Sequence, residues 1–131
     1  MKTWKITYWI TTGLVSLGMV ISFFNYLFNP VMVEGYAHIG FPDWFRVELG
    51  IAKLLGALAL IIPAVPERVK EWAYAAFFIN FFSAFLAHYF AGDPLVNQLS
   101  PLVVLALLVI SYMSREKLLQ HKGVVAFKKI A

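Results

Sequence analysis

The chain has 131 residues, of which 61% are hydrophobic without counting glycine and only 14% are charged, and its mean hydropathy is +0.76. Soluble domains carry roughly 45 to 50% apolar residues with glycine included and about 25% charged ones, so lipid is the natural solvent for most of this chain, and a soluble enzyme, a nucleic-acid module and a disordered linker are excluded first. The formal charge is +4, but the 11 Lys and Arg gather at particular loops and in the C-terminal stretch, a pattern of membrane topology rather than of a nucleic-acid face. With no cysteine, disulfides, thiolate metal sites and thiol-based quinone reduction are excluded as well.

A spanning helix needs about 20 mostly apolar residues. Trp4 to Phe28 is the first such stretch. It follows Lys2 and Lys5 as a secretory signal would, but it is too long for an h-region and lacks a small-x-small cleavage site, so a retained helix is expected. Asn29-Pro30 closes it, because proline disfavours the helical conformation in the residue before it, and a loop of about 14 residues is predicted from there to Pro42. The second span, Trp44 to Ile62, opens at Asp43, whose carboxylate can cap free N–H groups, and ends in Pro63-Ala64-Val65-Pro66. That short turn makes the second and third spans antiparallel neighbours. The third, Val69 to Phe90, has a charged start in Glu67, Arg68, Lys70 and Glu71. Asp93-Pro94 then reads as a cap followed by proline at the first position of the fourth span, Leu95 to Met113. Pro101 fits either a kink or a half-buried segment from Leu95 to Ser100. The expected fold is all-α: an integral membrane four-helix transmembrane bundle over residues 1–113, followed by a basic cytoplasmic tail at 114–131 that lies on the membrane surface or is mobile there.

Four spans bring both termini and the turn at 63–71 to one side, which collects Lys2, Lys5, Arg68, Lys70, Arg115, Lys117, Lys122, Lys128 and Lys129. The positive-inside rule makes that side cytoplasmic, with the 29–42 loop and the 91–94 turn outside. Trp4, Tyr8, Trp9, Trp44, Trp72 and Tyr112 fall near span ends, where amphipathic rings favour the headgroup region.

Ionisable groups inside a span are costly, at about 2.5 to 3.5 kcal/mol for one at the helix centre, and the second span holds three. Arg46 and Glu48 lie near Asp43 and can reach the interface, so an interfacial ion pair or cap is the simpler reading for them. Lys53 lies deeper, about 15 Å along the helix from Asp43, and divides evenly between a ligand- or partner-binding role and a structural hydrogen bond to another helix. On a helical wheel Arg46, Gly50, Lys53 and Ala57 share one face with Gly56 at its edge, a stripe of polar and small residues suited to close packing. The third span places Ala73, Ala76, Asn80, Ser83, Ala84, Ala87 and His88 on one side, expected to face the bundle, and Phe78, Phe82, Phe85, Leu86 and Tyr89 on the other, expected to face lipid. Depth counting puts Asn80 near Lys53 and His88 near Arg46 and Glu48. Asn25, His38, Asp43 and Asp93 complete a polar cluster in the outer half, from which a small vestibule is inferred. For His88, packing or hydrogen bonding is favoured over proton transfer, and no second histidine stands at metal-ligand spacing. There is no phosphate-binding loop, nucleophile elbow or catalytic carboxylate pair, so no catalytic residue is assigned.

The run from Gly40 through Pro63, with Lys70-Glu71-Trp72-Ala73-Tyr74-Ala75 and His88 through Gly92-Asp93, resembles the DoxX-like family of small bacterial membrane proteins over roughly residues 4–113. Its patterns fall on Gly40, Pro42, Gly50, Lys53, Gly56, Pro63, Glu71, Trp72, His88, Gly92 and Asp93. The resemblance implies a four-helix bundle in the bacterial inner membrane. The wider superfamily includes subunits linked to thiosulfate-to-quinone electron transfer, proteins of methylamine utilisation and a chaperone for nicotinic receptor assembly, each a small bundle working beside another membrane component. Three functions follow as expectations. The first is a non-catalytic accessory or assembly factor that binds a membrane protein partner, lipid or another lipophile through Lys53, His88, Arg46, Glu48, Asn80, Asn25 and Asp93. The second is a quinone-binding subunit of a membrane oxidoreductase, with Lys53 and His88 donating to carbonyl oxygens. The third, a solute or proton carrier, is the weakest, because four short helices show no internal repeat. Homo-oligomerisation is a further expectation from the long apolar faces of the first and fourth spans.

Overall fold

A computed structural model describes residues 2–130, and side chains over residues 2–123. The described chain is all-helical, with five helices: α1 (Lys2–Phe28), α2 (Pro30–His38), α3 (Asp43–Ile61), α4 (Glu67–Phe90) and α5 (Leu95–Ile130). Three of them, α1, α4 and the Leu95–Gly123 part of α5, are long and apolar enough to cross a membrane. The 19-residue α3 has a suitable length but carries Asp43, Arg46, Glu48 and Lys53.

The four long helices form a ring. α1 packs against α3 and α5, and α4 packs against α5 and α3. The ring closes on a core of Val15 and Met19 from α1, Ala57 and Leu60 from α3, Tyr74, Phe77 and Phe81 from α4, and Leu108 from α5. Most of these residues sit toward the α3–α4 turn, so one half of the ring is filled while the half toward the α4–α5 turn is not. The polar and small-residue face of α3 is the one it buries, through Arg46, Gly50, Lys53 and Ala57, with Leu60 continuing it. On α4 the outward face is as expected at Phe78, Phe82 and Tyr89, but the buried stripe is aromatic, Tyr74, Phe77 and Phe81, beside the small residues. Gly56 admits this stripe, because a Cβ there would stand 2.5 Å from the Phe77 ring.

The 29–42 segment is not the loop predicted from its proline. α2 occupies most of it, because Pro30 lacks an N–H only where a first-turn residue needs none, and the Asn29 side chain accepts from the Val31 N–H at 3.0 Å. Gly40, at φ +89°, turns the chain out of α2 toward Pro42. Asp43 makes no capping bond, and Pro42 occupies the cap position of α3. α5 is one helix through Pro101, so Leu95 to Ser100 form its opening turns, and it runs on past Met113 with no break. Ser114 and Arg115, read from sequence as the start of a tail, are buried. The expectations about tail side chains from residue 124 onward, Lys128 and Lys129 included, lie outside the described residues.

Polar side chains tie the filled end together. The Lys70 Nζ donates to the carbonyl oxygens of Ala59, Leu60 and Ile62, each at 2.9 Å, and so satisfies the free end of α3 from the next helix. Arg115 binds Glu67 at 2.5 Å and Glu71 at 2.7 Å, joining α5 to α4. Ser111 Oγ lies 2.6 Å from Thr12 Oγ1 and 2.7 Å from the Tyr74 hydroxyl, linking three helices through hydroxyls at one level.

Two stability measurements test this packing. Gly56→Leu forces Phe77 out of its slot and lowers the thermal midpoint in detergent by the equivalent of about 1–3 kcal/mol, and an unchanged midpoint would show that Phe77 has room to move. Lys70→Met leaves three helix-end carbonyls without their charged donor and costs about 1.5–3 kcal/mol, whereas Arg68→Met on the same turn has little effect. Equal losses in the two variants would refute the capping role.

Candidate functional site

The unfilled half of the ring holds a half-open cavity of about 1000 Å³, with walls from α1, α3, α4 and α5 and a roof from α2. Gly50 sets how closely two of its walls approach. A Cβ at Gly50 would stand 3.2 Å from the Tyr26 Cβ, so the missing side chain lets α1 approach α3 at this point. Tyr26 then lies between the two cations that flank Gly50 on the α3 face. Its backbone carbonyl accepts from the Arg46 guanidinium, and its hydroxyl accepts from Lys53 Nζ at 2.6 Å.

The two cations differ in what surrounds them. Arg46 packs behind Tyr26, away from the cavity wall, with Asp43 3.8 Å from its Nη2 and its Nε without a partner. Lys53 is 7% exposed and faces the cavity, and among the described residues it has no carboxylate within ion-pair distance. Asn80 lines the cavity from α4, and its enclosed Nδ2 has no hydrogen-bond partner. Gly56 meets Phe77 where antiparallel α3 and α4 pack, and one helical turn from each toward the α4–α5 turn brings Lys53 and Asn80 to the same level.

A hydrogen-bonded chain of three side chains stands at the cavity mouth. Asp93 Oδ2 lies 2.7 Å from His88 Nδ1, and its Oδ1 lies 3.1 Å from His38 Nε2, so α2 is fastened to the α4–α5 turn through one carboxylate. With both oxygens engaged, Asp93 is not the cap of α5 that its position before Pro94 implies. The hydrogen bond with His88 holds the Asp93 carboxyl below the usual carboxylate range, partial desolvation opposes this, and His38 adds to the lowering. Among the described residues no cluster of three His, Asp or Glu could hold a metal ion.

The structure therefore brings Lys53, Asn80, His88, Asp93 and His38 onto one cavity. It does not bring His88 to Arg46 or Glu48, because its partner is Asp93. Glu48 is exposed on another face of α3, and Asn25 is only half-buried and lines nothing in the cavity. The residue missed from sequence is Tyr26, the neighbour of Asn25. A signal for it exists in the spacing of Tyr8, Thr12, Val15, Met19 and Tyr26, a recurrence of three, four and seven that marks the buried stripe of α1.

The lowered carboxyl of Asp93 sets the sign of a pH effect. A group whose folded value is depressed contributes stability that is fully present above its unfolded value, about 3.9 for Asp, and lost as pH falls through the folded value. The gap in thermal midpoint between the wild type and Asp93→Asn is therefore expected to narrow between about pH 5 and about pH 3. A gap that stays constant across that window would mean that the ionised carboxylate is not what fastens α2.

Known proteins add one finding to this geometry. No curated protein and no solved structure matches the chain. The model of the DoxX-like family matches residues 10–111, a stretch that runs from α1 into α5 and includes every residue of the Tyr26–Lys53 and Asp93 sites. The match covers most of the chain and both halves of the ring, so the protein belongs to the DoxX-like family of membrane proteins.

Proposed function

We propose that this protein is a four-span accessory protein of the membrane that holds a lipophilic molecule in the cavity between α1, α3, α4 and α5. The observation that carries the reading is a large cavity with an apolar wall that a buried lysine lines. Cavities of this kind orient a ligand with a few polar groups and hold it with many apolar ones, and Lys53, Asn80 and His88 supply the polar set here. α3 serves as the fourth span. Its cations Arg46 and Lys53 are turned into the ring, while Trp44, Ile51, Leu55 and Leu58 are exposed on the outside, which suits a helix surrounded by lipid. Basic residues at the end bearing the α3–α4 turn favour that end as cytoplasmic, and the family likeness favours the bacterial inner membrane. A second reading, a quinone-binding subunit of an oxidoreductase, draws on one observation: Lys53 and His88 line the same cavity, and each can donate to a ligand carbonyl.

Native mass spectrometry of the mildly solubilised protein, with organic extraction and ultraviolet and mass analysis of what is released, tests both readings. The accessory reading expects a lipophile at one per chain that is lost in Lys53→Met, while the inserted protein keeps its fold. A ligand with quinone absorbance moves the assignment to the second reading. A cavity that carries nothing from the membrane and takes up nothing on titration overturns both.

A further inference from the structure

The ligand's chemistry follows from how the cavity is charged. We infer that the site takes an acidic amphiphile, with a carboxylate or phosphate head against Lys53 and Asn80 and a hydrocarbon tail along the apolar wall; this rests on the lipophile-binding reading above. An ammonium has three N–H donors, and Lys53 gives one to the neutral Tyr26 hydroxyl. The others have no acceptor among the described side chains. The two carboxylates on the cavity wall do not supply the missing charge, since Asp93 is held by two histidines and Glu34 is exposed on α2 and makes no ion pair.

A neutral ligand satisfies the donors but leaves a buried cation without compensation, which in hydrocarbon is the costlier fault. An acidic head answers both needs at once. Asn80 lines the same cavity at the level of Lys53 by helical spacing, and its unpartnered Nδ2 adds a neutral donor to the charged one. The cavity exceeds what a head alone fills, and Met19, Ile79, Phe81 and Val104 give the remaining wall an apolar surface for an alkyl chain.

The test uses the purified full chain in nanodiscs of zwitterionic lipid, with three probes that share one alkyl length: myristate, methyl myristate and tetradecyl phosphate. Binding is read as displacement of tritiated myristate. The acid is expected to bind roughly 10- to 100-fold more tightly than its ester, the range for a hydrogen bond to a charged group. Lys53→Met brings the acid to the level of the ester, and Lys53→Arg keeps part of the difference. Preference for tetradecyl phosphate over myristate identifies a phospholipid-type head, and the reverse order identifies a fatty acid; both support an acidic head. Equal binding of acid and ester to the wild type overturns the inference while leaving lipophile binding intact, and that comparison needs no variant to fold. An acid-to-ester ratio unchanged in Lys53→Met also overturns it. No binding of any probe removes the lipophile reading and this inference together.

Discussion

A cation enclosed among hydrocarbon must find its compensation within the protein, and in this chain that requirement shapes each end of the helix ring. Among the described residues four cationic side chains are buried: Arg46, Lys53, Lys70 and Arg115. Lys70 is spread over three carbonyl oxygens at the end of α3. Arg115 meets two carboxylates at the start of α4. Arg46 takes the Tyr26 carbonyl and stands near Asp43. Lys53 alone rests on a neutral hydroxyl and an open cavity, and the functional reading of the protein turns on that difference.

The same bonds explain why packing is uneven along the ring. At the end with the short α3–α4 turn, Lys70 and Arg115 draw three helices together and the aromatic stripe of α4 slots over Gly56. At the other end α3 is separated from α1 by α2, so the long helices are joined through a roof instead of a tight turn. The roof is anchored at two points, by Tyr36 stacking edge-on to Tyr26 with ring centroids 5.0 Å apart, and by His38 on Asp93. Beneath it the helices have small or short side chains, Ser22, Ala76, Ser83, Ala84 and Ala87 among them, which line space without filling it.

Much of this was legible in the residues. Three ionisable groups in one apolar stretch marked α3, and the three- and four-residue spacing of Arg46, Gly50, Lys53 and Ala57 told which face of it is buried, because helical periodicity converts spacing directly into direction. Asp93 was read both as a cap and as a member of an outer polar cluster with His38, and the structure keeps the second role and not the first. Its position before Pro94 fits a cap, and only the approach of His38 and His88 removes its oxygens from that role. Asn25 was named and Tyr26 was not, because an amide in a span stands out, whereas a tyrosine does not until its hydroxyl is seen beside Lys53. The continuation of α5 past Met113 was hidden by composition, since hydropathy falls at Ser114 and Arg115 although both are buried and Arg115 meets the carboxylates of α4.

Local pattern was therefore sufficient for the class of protein, the apolar stretches and the inward face of α3, all of which depend on neighbours within a few turns of one helix. Depth counting could bring distant residues to one level, but which of them bond to each other came from the folded ring. Asp93 and His38 are far apart in sequence, as are Lys53 and Tyr26, and no periodicity records which side chain stands across a gap between helices. Whether Lys53 is compensated or left facing a cavity depends on what α1, α2 and α4 bring to it, and that is a property of packing in three dimensions.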